Sequence, residues 1–97
     1  MNMDFFQVTD NLVKLIRDRK TKKPAGSYTT SLFRQGSSQV AKKVGEEAIE
    51  VVIAAQKSGK KQLTYELADL WYHLLVLLVI KNINLDSIAR ELRSRYK

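Results

Sequence analysis

With 97 residues the chain is expected to fold as one domain, 1–97, around a modest core. Its seventeen Lys and Arg outnumber ten acidic residues, a formal net charge of +7, which points to an anionic partner: nucleic acid, a membrane surface or a polyphosphorylated small molecule. The lack of cysteine excludes a disulfide framework, a thiolate nucleophile and a zinc–cysteine site, and fits a reducing compartment.

The opening "MNMDFFQVTDN" lacks the pattern of a signal peptide. Phe5, Val8, Leu12, Leu15 and Ile16 recur at helical spacing, with Asp4 as their cap. The single proline, Pro24, lies in an expected loop over 20–27. "TTSLFRQ" reads as a short helix stopped by Gly36. A long helix is predicted from Ser37 or Ser38 to Lys57, and a turn at Ser58-Gly59, where glycine would adopt the left-handed conformation. The next helix spans Lys60 to Ile80, with Leu63, Leu67, Leu70, Leu74 and Leu77 as its core stripe. The apolar run at 74–80 falls short of the roughly 18 residues that cross a bilayer, so no membrane partner is expected. A last helix follows Asn84, with Leu85, Ile88, Ala89, Leu92 and Tyr96 on one face. The fold class is all-α, a small antiparallel helical bundle. Apolar residues on several faces of the long helices predict that oligomerisation, to at least a homodimer, completes it. Val76, Val79, Ile80, Trp71 and Tyr72 are the expected surplus.

Half of the acidic residues stand at Glu46, Glu47, Glu50, Glu66 and Asp69. Glu46 and Glu47 fall about 40° and 60° on either side of Glu50, so the three share one sector of their helix. Glu66, Asp69 and His73 follow one edge of the next helix. A hairpin turning at Gly59 brings Glu50 level with about Ala68, so that four or five carboxylates would converge where the two faces turn toward each other. No basic residue is expected at that level. Such a cluster is costly unless a cation joins it, because like charges and desolvation oppose ionisation. Oxygen ligands without cysteine point to Mg²⁺, with Mn²⁺ as the alternative. The plainer reading is a solvated helix face. His73 would orient Asp69, contact substrate, or simply be a hydrogen-bonded core residue.

Basic residues gather at Lys14, Arg17, Arg19, Lys20, Lys22 and Lys23, with Arg34, Lys42 and Lys43, and form a tail of Arg90, Arg93, Arg95 and Lys97. They are either solvated faces or phosphate contacts. "SYTTS" adds hydroxyls and an aromatic ring beside them.

"EEAIE" followed after fifteen residues by "ELAD" resembles the carboxylate signature of the all-α, MazG-like nucleoside triphosphate pyrophosphohydrolases. "DRK…P.GSYTTSLF..G", "KKVGEEAIEVVIAA" and "ELADLWYHLLVLL" in that order resemble the phosphoribosyl-ATP pyrophosphohydrolases of histidine biosynthesis, from about Leu12 to Arg95. The resemblance implies hydrolysis of phosphoribosyl-ATP to phosphoribosyl-AMP and pyrophosphate with Mg²⁺, by a cytoplasmic, oligomeric enzyme. It carries the metal positions onto Glu47, Glu50, Glu66 and Asp69. Glu46, Glu47 and Glu50 become the catalytic candidates. Arg19, Lys20, Ser27, Tyr28, Thr29, Lys43 and His73 become the substrate-binding ones. Some relatives carry a fused cyclohydrolase, and this sequence, without cysteine and with one histidine, is not expected to include that part. Trp71 departs from the aliphatic residue expected there.

Two rivals remain. One is a house-cleaning nucleotide pyrophosphohydrolase of the same superfamily, against which the "SYT" block and the basic N-terminal stretch argue. The other is a small basic nucleic-acid-binding module, which would keep carboxylates off its contact face and bind with steep salt dependence.

Overall fold

The computed structural model describes residues 3–96; Lys97 of the basic tail lies outside them. It contains five helices: α1 (Phe5–Lys22), α2 (Tyr28–Gln35), α3 (Ser37–Lys57), α4 (Lys60–Ile80) and α5 (Leu85–Arg93), with no strand among the described residues. The expected all-α class holds.

Local chemistry sets most boundaries. Asp4 and Gln7 form a reciprocal capping box that starts α1. The helix continues past the expected loop start to Lys22, and Lys23 in the left-handed conformation followed by Pro24 ends it. Ser27 caps α2 by accepting from the Thr30 amide. Gly36, at φ 93°, closes α2 and opens α3 in one step, a conformation that favours glycine.

The α3–α4 turn departs from expectation. Ser58 and Gly59 have φ of −115° and −83°, so glycine's left-handed freedom is not used there. The left-handed residue is Asn82, at φ 58°, after α4. There Ile83 N–H donates to Leu78 C=O and Asn82 N–H to Val79 C=O, satisfying the last carbonyls.

Val13 and Ile16 of α1, Leu32 of α2, Val40 of α3, and Leu75, Val76, Leu78 and Val79 of α4 form the core. This corrects the α4 stripe. Leu67 is 49% exposed and Leu63, Leu70, Leu74 and Leu77 are only partly covered, while Val76 and Val79 are buried. The cause is α4's central place: α1, α2 and α3 all pack against it. A helix apolar around its circumference gives periodicity no unique face to report. For the same reason Val76 and Val79 are not surplus apolar surface.

Beyond the core the α3–α4 hairpin projects, leaving Ile49, Val52, Ile53 and Tyr65 exposed. On α3 only Val40, Glu47 and Ala54 are buried, one per heptad along the seam with α4. By length and composition alone the whole of α4 is sufficient to cross a membrane, although its uninterrupted apolar run, 74–80, is short. Yet it carries Glu66, Asp69 and His73 along its middle, and three helices pack on it.

Candidate active site

Glu47 lies on the hairpin seam, where the positions one heptad before and after it are Val40 and Ala54. It is 9% exposed. Across the seam stand Asp69 and, one turn further along α4, His73. A carboxylate oxygen of Glu47, one of Asp69 and a ring nitrogen of His73 lie within 4.8 Å of one another.

His73 is 3% exposed and bonded at both nitrogens. Nδ1 lies 2.8 Å from the Asp69 backbone carbonyl and 3.5 Å from its Oδ1. A carbonyl only accepts, so Nδ1 carries the proton. In the neutral ring, Nε2 then accepts from the Tyr28 hydroxyl at 2.8 Å. Tyr72 and Tyr28 pack edge-on against the imidazole, with centroids 5.2 and 5.9 Å away. Thr29 bonds to the Tyr72 hydroxyl. Tyr28 and Thr29 thus pin the start of α2 to the middle of α4.

Electrostatics follow from this crowding. The Glu47 carboxyl is raised above the usual carboxylate range, first by its hydrogen bond to Asp69, then by burial and by the Asp69 charge. His73 and Lys43 oppose the shift. Lys43 Nζ stands 4.0 Å from Glu47 one turn earlier on α3, correcting the expectation that no cation reaches this level. The Tyr28 hydroxyl is also raised, chiefly by burial, with Lys43 pulling the other way. Tyr28 as a residue is half exposed, but its hydroxyl reaches His73.

Glu47, Asp69, His73, Tyr28 and Lys43 therefore meet. Glu46 and Glu50 are exposed, and Glu66 is partly buried and accepts from Gln62 at 2.9 Å. The tight group thus contains two of the five acids that the hairpin register was expected to gather. Ser27 serves as the α2 cap. Arg19 pairs with Asp18 at 2.8 Å. Lys20 donates to the Val79 carbonyl and to Asn82 Oδ1, each at 3.3 Å, at the C-terminal end of α4. Tyr72 was not singled out for the site. Its position three residues after Asp69 on the same helix was the available signal.

Two carboxylates facing each other across a helical hairpin, with a lysine and a tyrosine at their edge, make up the site of a small all-α protein. Within that class the chain belongs to the phosphoribosyl-ATP pyrophosphohydrolase family, which it matches over residues 9–96. It is 49% identical over 90 residues to a phosphoribosyl-ATP pyrophosphatase of Metallosphaera sedula, covering 93% of this chain and 97% of that one. A phosphoribosyl-ATP pyrophosphatase of Lactiplantibacillus plantarum is 48% identical over 89 residues, covering 92% of this chain and 84% of that protein. The histidine biosynthesis bifunctional protein HisIE of Caldanaerobacter subterraneus is 49% identical over 94 residues, 97% of this chain, and the match spans 46% of that protein's length.

Proposed function

We propose that the chain hydrolyses phosphoribosyl-ATP to phosphoribosyl-AMP and pyrophosphate, as a histidine-biosynthetic enzyme. The observation that carries this is buried Glu47 facing the partly exposed Asp69 across the hairpin seam of a chain in this family.

The donor set fits a hard divalent cation. His73 has both nitrogens committed, to the Asp69 carbonyl and to Tyr28, so the open ligands are oxygens, which suit Mg²⁺ or Mn²⁺. Glu47 and Asp69 would hold it, with Glu50 and Glu66 each one helical turn away from one of them. Such an ion supplies charge neutralisation for the triphosphate and lowers the pKa of a bound water. Lys43 takes phosphate charge at the same level. Glu46 and Glu50, exposed beside Glu47, remain catalytic candidates together with it. His73 is a positioning residue: it fixes the Asp69 backbone and holds Tyr28. Arg19 and Lys20 act away from the cluster through their own contacts.

A panel of nucleotides assayed for pyrophosphate release tests the reading. Phosphoribosyl-ATP should be turned over far faster than ATP, dATP or dUTP. Preference for an ordinary nucleotide would favour the house-cleaning activity instead.

We also infer a homodimer and a soluble, cytoplasmic enzyme. Ile49, Val52, Ile53, Tyr65 and Leu67 are exposed along the hairpin. Trp71, Leu74, Leu77, Ile83, Leu85 and Ile88 line an apolar cavity of about 500 Å³ between α4 and α5. A second copy covering these surfaces removes a patch larger than a monomer usually exposes. In sedimentation equilibrium at micromolar concentration the expected mass is twice the monomer's. An active species of monomer mass would refute the dimer.

A further inference from the structure

Outside the carboxylate cluster, the molecule has an open recess at the start of α2. It has a volume of about 470 Å³, and Pro24, Gly26, Ser27, Thr30, Ser31 and Arg34 contribute to its lining together with Tyr28. Three features of this recess point to an anion.

The first is the helix start itself. Ser27 Oγ accepts from the Thr30 amide and the Ser27 carbonyl from the Ser31 amide. The amides of Tyr28 and Thr29 are left as first-turn donors at the positive end of the helix. The second is Thr30. Its side chain is buried, at 3% exposure, and its hydroxyl has no hydrogen-bond partner among the described residues. A buried hydroxyl without a partner is unfavourable unless a ligand satisfies it. The third is Arg34, one turn after Thr30, exposed and in no ion pair among the described residues. A guanidinium binds phosphate oxygens in bidentate fashion.

No carboxylate lines the recess, so it neutralises an anion with amides and arginine alone. Tyr28 forms a shared wall: its residue lines the recess and its hydroxyl reaches His73 beside Asp69. We propose that this recess binds a phosphate monoester, the 5′-phosphate of the phosphoribosyl group, while the triphosphate lies at Glu47 and Asp69. The assignment of that phosphate rests on the reaction proposed above. It explains why the substrate's two ends need two chemically different sites. One is acidic and recruits a cation; the other is a helix start with a free arginine. It also makes Thr30 and Arg34 the residues that distinguish phosphoribosyl-ATP from ATP.

The test uses ribose 5-phosphate and pyrophosphate as separate probes of the intact chain, followed through amide resonances. Ribose 5-phosphate should shift Tyr28, Thr29 and Thr30 without a divalent cation. Arg34→Met should weaken its binding about tenfold, the loss expected for one charge-assisted bidentate contact. Thr30→Val should weaken it several-fold while leaving melting temperature unchanged or higher, because the variant removes an unpartnered buried hydroxyl. Pyrophosphate should bind near Asp69 only with Mg²⁺ and be indifferent to Arg34→Met. In turnover, Arg34→Met should raise KM for phosphoribosyl-ATP about tenfold with little change in kcat. Ribose 5-phosphate binding that is absent, or insensitive to Arg34→Met, overturns the proposal. Equal loss of pyrophosphate binding in that variant would overturn it too, placing the recess in the triphosphate site. If wild type binds ribose 5-phosphate through Arg34 but releases no pyrophosphate from phosphoribosyl-ATP, the recess stands as a phosphate site and the reaction falls.

Discussion

Excess chelator is expected to abolish pyrophosphate release, and added Mg²⁺ or Mn²⁺ to restore it. The reason lies in the seam of the α3–α4 hairpin. Glu47 is buried beside Asp69, and the shared hydrogen bond and burial raise its carboxyl. A proton or a cation compensates such a pair. Lys43, at 4.0 Å, is a loose partner at the edge of contact range. A triphosphate approaching two such carboxylates adds negative charge to negative charge. Charge neutralisation at this point is therefore a condition of binding rather than a refinement of it. The same argument predicts a stability effect independent of turnover. An ion that binds the folded chain alone stabilises it by about 2.7 kcal/mol at a hundred times its Kd. For a domain of this size that is on the order of 10 °C in Tm. Full activity in excess chelator would end the metal reading; unchanged Tm with millimolar Mg²⁺ would count against these ligands.

The sequence disclosed the helices well because their ends are chemical. Asp4, Asn84 and Gly36 act as the expected helix ends, whereas Ser27, expected only as a substrate-binding residue, caps α2. Packing was harder to read. Leu67 and Val76 are equally apolar, yet the chain buries Val76 and half exposes Leu67. Which side of α4 faces α1 and α2 is a tertiary fact that periodicity alone does not contain. The acids divide in the same way. Spacing placed Glu46, Glu47 and Glu50 in one sector, and only the hairpin seam singles out Glu47, because it occupies the heptad position of Val40 and Ala54. The hairpin register was nearly right: Glu50 was set against Ala68, and Glu47 meets Asp69. Tyr28 illustrates what sequence cannot supply. Its link to His73 spans 45 residues, and no local signal announces it.

Replacing Glu47 with Gln should move activity and stability in opposite directions. Activity is expected to fall by about 10²-fold or more in kcat, because a neutral amide neither binds a cation strongly nor supplies negative charge at the reacting centre. Stability in chelator should rise. The folded-state carboxyl of Glu47 lies above its ordinary value, so the folded chain holds this proton to higher pH than the unfolded chain does. That contribution is fully present below the ordinary carboxylate value and is lost as pH rises through the raised one. Glutamine keeps a donor toward Asp69 at every pH. The variant's Tm should therefore exceed wild type's near neutrality and match it more closely in acid. Asp69→Asn should lose activity to a similar degree while leaving the His73 contact in place, since that bond uses the Asp69 backbone carbonyl. Neither variant should gain Tm from Mg²⁺ as wild type does. The decisive measurements are melting curves between pH 4 and 8, with chelator and with Mg²⁺, beside single-turnover rates. A Glu47→Gln chain with reduced helical circular dichroism and lower Tm throughout would make Glu47 a structural residue of the seam instead.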